Sequence, residues 1–248
     1  MSDIILSTDK LTKSYKLINA NEGISMQINK GDIYGFIGVN GAGKTTFMKM
    51  ICGLIFPTSG SFSLMAATSG KELELARRKT GVLIEHPALY PDMTALQNLV
   101  IQGRYKGLNE KRNVPAYKQI LEKVGLADAA GEKARTFSMG MKQRLGLALC
   151  LVGDPEFIIL DEPYVSLDPV GVNDFRRLLL ELNKEGLTIL FSCHTLSEMT
   201  KVATRYGFLH RGRLRKEITS EKLEDELKSG GEDLEAYFLR HIQQWDNR

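Results

Sequence analysis

The chain has 248 residues, of which 43% are hydrophobic and 25% are charged, a composition typical of folded globular proteins and not of disordered or collagen-like chains. Its 33 basic and 30 acidic residues give a net charge of +3, and so close a balance argues against a surface built to bind nucleic acid. The three cysteines are widely spaced, without a Cys-x-x-Cys pair, which favours a reducing compartment over a disulfide framework or a zinc site.

Two segments bear on membrane attachment. Charged residues at positions 3, 9 and 10 interrupt the N-terminus, so we expect no signal peptide there. Residues 51–70 carry no charge and are about as long as a bilayer requires. They include Pro57 and six serine or threonine residues, however, which predicts a turn-rich connection. We therefore expect any work at a membrane to be done from its surface or through a partner.

Short apolar runs alternate with amphipathic helical patterns along the chain, which favours an α/β fold with a mainly parallel sheet. Strands covered on both faces are expected to be short and continuously apolar. Four segments fit that description: residues 33–37, 81–84, 157–160 and 188–191.

The predicted fold is one α/β nucleotide-binding domain with an N-terminal β-rich part and an inserted helical part. Residues 1–85 and 153–220 form the predicted core, and residues 86–152 the helical subdomain, whose helical pattern is clearest from residue 94 onward. Arg211, Arg213 and Arg215 alternate at strand spacing, which predicts an edge strand protected by charge. Residues 221–248 are predicted to be an acidic C-terminal tail.

The clearest motif is a phosphate loop. Residues 38–45, Gly-Val-Asn-Gly-Ala-Gly-Lys-Thr, match GxxxxGK[ST] and lie between a predicted strand and a helical pattern, which is the context that this motif requires. The glycines let backbone N–H groups face a phosphate, and the helix N-terminus adds a positive dipole end. We predict that Lys44 reaches the β- and γ-phosphates and that the Thr45 hydroxyl binds Mg²⁺. The predicted nucleotide contacts are Gly38, Val39, Asn40, Gly41, Ala42, Gly43, Lys44, Thr45 and Thr46.

A second candidate site follows the apolar strand at residues 157–160, where Asp161 and Glu162 are adjacent carboxylates. Ligands of open α/β sheets bind at this carboxyl edge. Because neighbouring strand residues point to opposite sides, we expect different roles for the two acids. Asp161 is predicted to be the Mg²⁺ partner, and Glu162 to orient or deprotonate the attacking water.

Residues 137–144, Phe-Ser-Met-Gly-Met-Lys-Gln-Arg, precede Asp161 at the distance customary for the Leu-Ser-Gly-Gly-Gln signature of ATP-binding cassette (ABC) ATPases. The chain resembles that family along nearly its whole length. In the family, two chains sandwich two ATP molecules, and the signature of one chain caps the γ-phosphate held by the other. The resemblance therefore implies that Ser138, Met139, Gly140 and Met141 contact ATP bound to a second copy. Met139 and Met141 replace the usual glycine and glutamine, which keeps the backbone donors but loses a side-chain amide.

Further matches appear in family order. Ser166, Leu167 and Asp168 resemble the loop that crosses the dimer interface. His194, just after a predicted strand, resembles the switch histidine that contacts the γ-phosphate, and the resemblance implies that it acts in catalysis with Glu162 and Lys44. Tyr15 stands where the family places an aromatic side chain that stacks on adenine.

Glu85 departs from the family, which normally has glutamine at the joint between the core and the helical subdomain. The resemblance implies that Glu85 contacts Mg²⁺ together with Thr45 and Asp161. An ionised carboxylate can bind metal and accept hydrogen bonds, but it cannot donate one. Together with residues 137–144, this glutamate is similar to one branch of the family, the lantibiotic-immunity and bacitracin-resistance exporters.

The resemblance implies an Mg²⁺- and ATP-dependent motor subunit at the cytoplasmic face of the membrane. Its expected partners are a second copy and separate integral-membrane permeases, without nucleic acid. Immunity or resistance to a membrane-active peptide antibiotic is the implied role. The alternative is a soluble ABC ATPase in cofactor assembly or another role outside transport. A P-loop kinase or GTPase would leave residues 137–144, 166–168 and His194 unexplained.

Overall fold

A computed structural model describes residues 3–16, 18–165, 167–193 and 195–247. The strands in this part of the chain form two sheets. The larger sheet has the order β5-β6-β7-β3-β8-β9, in which every pairing is parallel except that of β8 with β9. The smaller sheet is antiparallel, in the order β2-β1-β4. The strands are β1 (Ile4–Tyr15), β2 (Ile18–Asn29), β3 (Ile33–Ile37), β4 (Ser59–Leu64), β5 (Thr80–Leu83), β6 (Phe157–Leu160), β7 (Thr188–Ser192), β8 (Arg205–His210) and β9 (Arg213–Thr219).

Helices cover the larger sheet and form the segment between β5 and β6. The described helices are α1 (Lys44–Cys52), α2 (Gly70–Arg78), α3 (Ala95–Tyr105), α4 (Glu110–Lys123), α5 (Met139–Leu151), α6 (Pro169–Lys184), α7 (Leu196–Met199), α8 (Ser220–Gly230) and α9 (Leu234–Asp246). Helix α3 begins with a capping box, in which Thr94 and Gln97 bond each other's backbone N–H groups, as expected where a helix follows a loop. None of the helices in the described ranges is long and apolar enough to cross a membrane.

This architecture confirms the predicted α/β class with a mainly parallel sheet, a β-rich N-terminal part and an inserted helical part. The boundaries differ slightly, because β5 spans Thr80–Leu83 rather than residues 81–84 and β7 extends to Ser192. The predicted arginine strand corresponds to β9, but Arg211 lies before it, in the tight turn after β8, with a φ of 46°. Residues 221–247 are mostly helical: they contain all of α8 but its first residue, and α9, which packs on β8 through Tyr237 and Phe238.

The core lies on both faces of the larger sheet, because its strands send alternate side chains to each side. Ile33 and Ile37 of β3 belong to the cluster that includes α5 and α6, whereas Tyr34 and Phe36 belong to the cluster under α1 and the smaller sheet. Fully burying one such side chain contributes roughly 1.5–3 kcal/mol. The two clusters therefore pack on opposite faces of the sheet and hold in place the edge at which its parallel strands end.

Candidate functional site

The phosphate loop connects the end of β3 to the start of α1. Gly43 occupies the N-cap position with a φ of 103°, and a Cβ added there would lie 2.2 Å from the Ala20 carbonyl oxygen. No other residue fits this conformation and approach. Because glycine has no capping side chain, the first N–H groups of α1 are left for another acceptor, the arrangement that favours an anion at a helix N-terminus.

Lys44 directs its ammonium group into the site although it is almost fully buried. Its Nζ donates to the Gly38 carbonyl oxygen at 2.6 Å and lies 3.7 Å from Glu162 Oε1, with 6% of the side chain exposed. A cation held this far from water needs negative or polar partners around it. The loop carbonyl and the carboxylate supply them here.

Asp161 is the centre of a buried hydrogen-bond group at the end of β6. Thr45 Oγ1 donates to Asp161 Oδ2 and Ser192 Oγ to Asp161 Oδ1, each at 2.6 Å. The Ser192 hydroxyl also accepts from the backbone N–H of Glu162 at 2.9 Å. Sequence reasoning missed Ser192. The available signal was its place at the end of β7, since β6 and β7 pair in parallel and both end at this edge.

Glu162 follows β6 with a φ of 50°, in the left-handed region that residues with a Cβ seldom adopt. This turn takes the chain out of the strand direction one residue after Asp161. The Glu162 carboxylate consequently lies beside Lys44 at 3.7 Å, and its side chain is about one-quarter exposed. Glu162 is therefore accessible from the site, whereas Asp161 is 4% exposed.

Glu85, just beyond β5, also has a left-handed backbone, with a φ of 64°. Its Oε1 lies 2.6 Å from the Nζ of Lys49 in α1. The hydrogen bond from Lys49 and the charge of that ammonium lower the pKa of Glu85 below its usual value. Glu85 is thus an ionised acceptor at neutral pH, tied to the helix that begins at the phosphate loop.

The segment at residues 137–144 begins α5. Ser138 is the N-cap and accepts from the Met141 N–H at 3.2 Å, while Met139 is 55% exposed. A Cβ added to Gly140 would lie 3.5 Å from Leu167 Cδ2, so this glycine packs against the loop before α6. The buried Gln143 donates to the Pro163 carbonyl oxygen at 3.0 Å, which links α5 to the turn that carries Glu162.

Two further predicted residues, Asp168 and Tyr15, lie in the described part of the chain. Asp168 caps α6 by accepting from the Gly171 N–H at 2.6 Å. Tyr15 ends β1 about half exposed, with Lys13 Nζ 5.0 Å from its ring centroid. Ser166 and His194 lie outside the described residues. The structure thus brings Lys44, Thr45, Asp161 and Glu162 together at one edge, while Gly140 and Gln143 contact the segment at residues 163–167.

The donor set suits one class of metal ion. No group of three or more His, Cys, Asp or Glu residues with metal-binding geometry occurs in the parts of the chain that the structure describes. The Thr45 hydroxyl and the Asp161 carboxylate nevertheless lie side by side at the start of α1. Mg²⁺ is commonly held by one or two protein oxygens together with phosphate oxygens. These residues fit an ion that arrives with a nucleotide rather than one held by the protein alone.

The fold and this edge define a phosphate-loop nucleotide-binding protein of the α/β class. Comparison with known families identifies it further, because the ABC transporter family model matches residues 21–165. The chain therefore belongs to the ABC transporter family, as an ATP-binding domain.

Curated relatives cover nearly the whole chain. The bacitracin transport ATP-binding protein BcrA of Bacillus licheniformis is 42% identical over 224 residues, which are 90% of this chain and 72% of that protein. The lantibiotic transport ATP-binding protein SrtF of Streptococcus pyogenes is 38% identical over 238 residues, which are 96% of this chain and 97% of that protein. The chain is thus related to ATP-binding proteins named for bacitracin transport and for lantibiotic transport.

Solved structures of ABC transporter ATP-binding proteins have the same fold as this chain. An ATP-binding subunit of an ABC transporter superposes with a TM-score of 0.84 at 27% identity, covering 95% of this chain and 98% of that one. A dimeric ATP-binding cassette in a post-hydrolysis state, bound to ADP and Pi, superposes with a TM-score of 0.79 at 25% identity, covering 87% of this chain and 98% of that one.

Proposed function

We propose that this chain is the ATP-hydrolysing motor subunit of an ABC exporter that acts with separate permease subunits and gives immunity or resistance to a lantibiotic or another membrane-active peptide antibiotic. The observation that carries the proposal is the 38% identity to a lantibiotic transport ATP-binding protein over 97% of that protein's length. The 42% identity to a bacitracin transport ATP-binding protein supports it independently.

In this proposal ATP binds along the edge formed by the phosphate loop. Backbone N–H groups of residues 38–46 and the Lys44 ammonium hold the phosphates, and Tyr15 stacks on adenine. The glycine N-cap of α1 supports the first part, because it leaves the helix N-terminus without a side-chain cap. The half-exposed Tyr15 side chain supports the second.

Thr45 and Asp161 would hold Mg²⁺, with Glu85 as a further oxygen donor. When bound, the ion would neutralise charge on the phosphate oxygens. In the chain itself, Ser192 fixes the orientation of the Asp161 carboxylate by donating to its Oδ1. The second oxygen, Oδ2, accepts from Thr45 and is the one that faces the helix N-terminus.

Glu162 is the proposed general base. Its carboxylate accepts a proton from water as that water attacks the γ-phosphate, whose bond to the β-phosphate oxygen breaks so that ADP leaves. Lys44, 3.7 Å from Glu162, keeps positive charge beside the transferring group. His194 is proposed to contact the γ-phosphate from the segment after β7. Phosphoryl transfer depends mostly on positioning and electrostatics, and the buried group around Asp161 and Ser192 gives Glu162 a fixed backbone.

The working unit is proposed to be a dimer of two copies. Ser138, Met139, Gly140 and Met141 would contact ATP held by the partner, and Ser166, Leu167 and Asp168 would cross the interface. The dimeric cassette among the structural relatives supports this arrangement, as does the exposure of Met139 at the start of α5. Residues 1–85 and 153–220 would form the nucleotide-binding core, residues 86–152 the helical unit and residues 221–248 a C-terminal element.

Permease subunits are proposed to hold the dimer at the cytoplasmic face of the membrane. The Glu162→Gln variant, tagged in its native host and purified from detergent-solubilised membranes with ATP, tests this directly. We expect polytopic membrane proteins to be identified with it by mass spectrometry, and their deletion to sensitise cells to a peptide antibiotic. Recovery from the soluble fraction with soluble partners only would overturn the exporter proposal and favour the role outside transport, such as cofactor assembly.

Glu85→Gln separates hydrolysis from transport. Glutamine keeps the size of Glu85 and its acceptor oxygen but loses the charge that pairs with Lys49 at 2.6 Å. We expect the ATPase rate of the complex to stay within about threefold of wild type, because this exposed ion pair contributes little by itself, while antibiotic resistance falls. The ATPase rate is measured in membranes, and antibiotic resistance in the cells from which those membranes are prepared. Complete loss of ATPase activity would show that the carboxylate itself is required for hydrolysis.

A further inference from the structure

The turn between β8 and β9 touches the phosphate loop from outside. The Gly212 N–H donates to the Ala42 carbonyl oxygen at 3.0 Å. Three residues before Gly212, in β8, the chain is also close to the start of the loop, since a Cβ on Gly38 would lie 2.7 Å from the Leu209 carbonyl oxygen. Any shift of this turn would therefore move the backbone of residues 38–42.

The turn is a tight one whose own backbone is strained. Its two central residues, Arg211 and Gly212, have φ values of 46° and 74°, a pair typical of a two-residue hairpin connection. Arginine has a Cβ and adopts this conformation at a cost. A turn of this kind depends on outside contacts to hold one conformation.

On one side, β2 and β9 hold the turn. The Glu22 N–H donates to the Gly212 carbonyl oxygen at 2.8 Å, and Arg213 binds both carboxylate oxygens of Glu22, at 3.1 and 2.5 Å. These contacts fix Gly212 against β2. They leave the first half of the turn, at residues 210 and 211, to be fixed from elsewhere.

The last turn of α9 supplies that second support. Asp246 Oδ1 lies 2.8 Å from His210 Nε2 and 2.9 Å from Arg211 Nη2. His210 is 4% exposed, and its ring centroid lies 6.0 Å from that of Trp245. The hydrogen bond from His210 and the nearby Arg211 charge lower the pKa of Asp246, so this carboxylate accepts at neutral pH and the His210 Nε2 carries the hydrogen.

We propose that Asp246 is a positioning residue for nucleotide binding: through His210 and Arg211 it fixes the β8–β9 turn, and through Gly212 it fixes the Ala42 carbonyl of the phosphate loop. The C-terminal helix thereby becomes part of the nucleotide-binding machinery. The inference rests on the proposed nucleotide site at residues 38–46. It assigns to α9 an effect on ATP affinity, not on the chemical step.

The test compares Asp246→Ala and Asp246→Asn with the wild-type chain. We expect Asp246→Ala to weaken binding of a fluorescent ADP analogue by roughly three- to tenfold, the size of one or two lost hydrogen bonds, and to raise the KM for ATP by a similar factor. The kcat at saturating ATP should stay within about twofold. Asp246→Asn keeps an acceptor oxygen for His210 and Arg211, so it should restore most of the affinity.

Glu232→Gln is the control, because Glu232, which lies just before α9, pairs with Arg240 of that helix at 3.2 Å and 2.5 Å, away from the turn. It should lower the melting temperature about as much as Asp246→Ala and leave affinity unchanged. Wild-type affinity in Asp246→Ala, or an equal loss in Glu232→Gln, would overturn the inference. A wild-type chain that did not bind the analogue would instead overturn the proposed nucleotide site, and the inference with it.

Discussion

Glu162→Gln is expected to lower the ATPase rate by about 10²–10⁴, the contribution typical of a general base. Glutamine has the same shape as Glu162 but cannot take a proton from the attacking water at neutral pH. The backbone N–H of residue 162 should still donate to Ser192, because the substitution leaves the main chain unchanged. Phosphate release measures turnover, and binding of a fluorescent ATP analogue should stay within about threefold of wild type.

Under the proposed mechanism, in which ATP holds two copies together and hydrolysis releases them, the same variant should accumulate as an ATP-bound dimer, visible by size-exclusion chromatography with ATP and Mg²⁺. Glu156→Gln is the control. Glu156 lies at the opposite, amino end of β6 and pairs with Lys79 at 2.6 Å, so its loss should change neither turnover nor dimerisation. A normal hydrolysis rate in Glu162→Gln would show that the catalytic assignment is wrong.

Lys44→Ala is expected to weaken nucleotide binding at least about a hundredfold. The substitution removes charge-assisted hydrogen bonds to phosphate, each contributing roughly 1.5–3 kcal/mol. It also leaves the Gly38 carbonyl without its donor at 2.6 Å. Titration with the fluorescent ATP analogue measures the loss.

Lys79→Ala removes a lysine that lies outside the site and pairs with Glu156, so it should bind the analogue like the wild-type chain. Circular dichroism distinguishes lost binding from lost folding in Lys44→Ala. Wild-type affinity in a folded Lys44→Ala protein would contradict the assigned phosphate contact. The two variants should have opposite effects on bound nucleotide. Glu162→Gln should retain ATP without hydrolysing it, whereas Lys44→Ala should fail to bind it.

Features encoded by contiguous residues could be predicted from the sequence. The phosphate loop needs a short apolar strand, a glycine-rich turn and a helix start in sequence, and β3, Gly43 and α1 follow in that order. The pair Asp161 and Glu162 could be predicted in the same way, because the four apolar residues of β6 come directly before them in the sequence.

Contacts set by strand register and helix packing could not be predicted. Ser192 reaches Asp161 only because β7 pairs with β6 in parallel and ends at the same level. Lys49 meets Glu85 because α1 packs beside the end of β5. The contacts of α9 with the β8–β9 turn depend on residues 36 positions apart, His210 and Asp246. Local periodicity carries no information on such pairs.

Glu85 and Glu162 both hold a backbone conformation that residues with a Cβ adopt at a cost of about 1–2 kcal/mol. Glycine or asparagine would relieve much of that cost at either position. Selection for thermal stability alone would therefore favour replacing both carboxylates. Under the proposed roles, thermal stability conflicts with turnover at Glu162 and with transport at Glu85, so substitutions that raise the melting temperature of this chain should be sought at other positions.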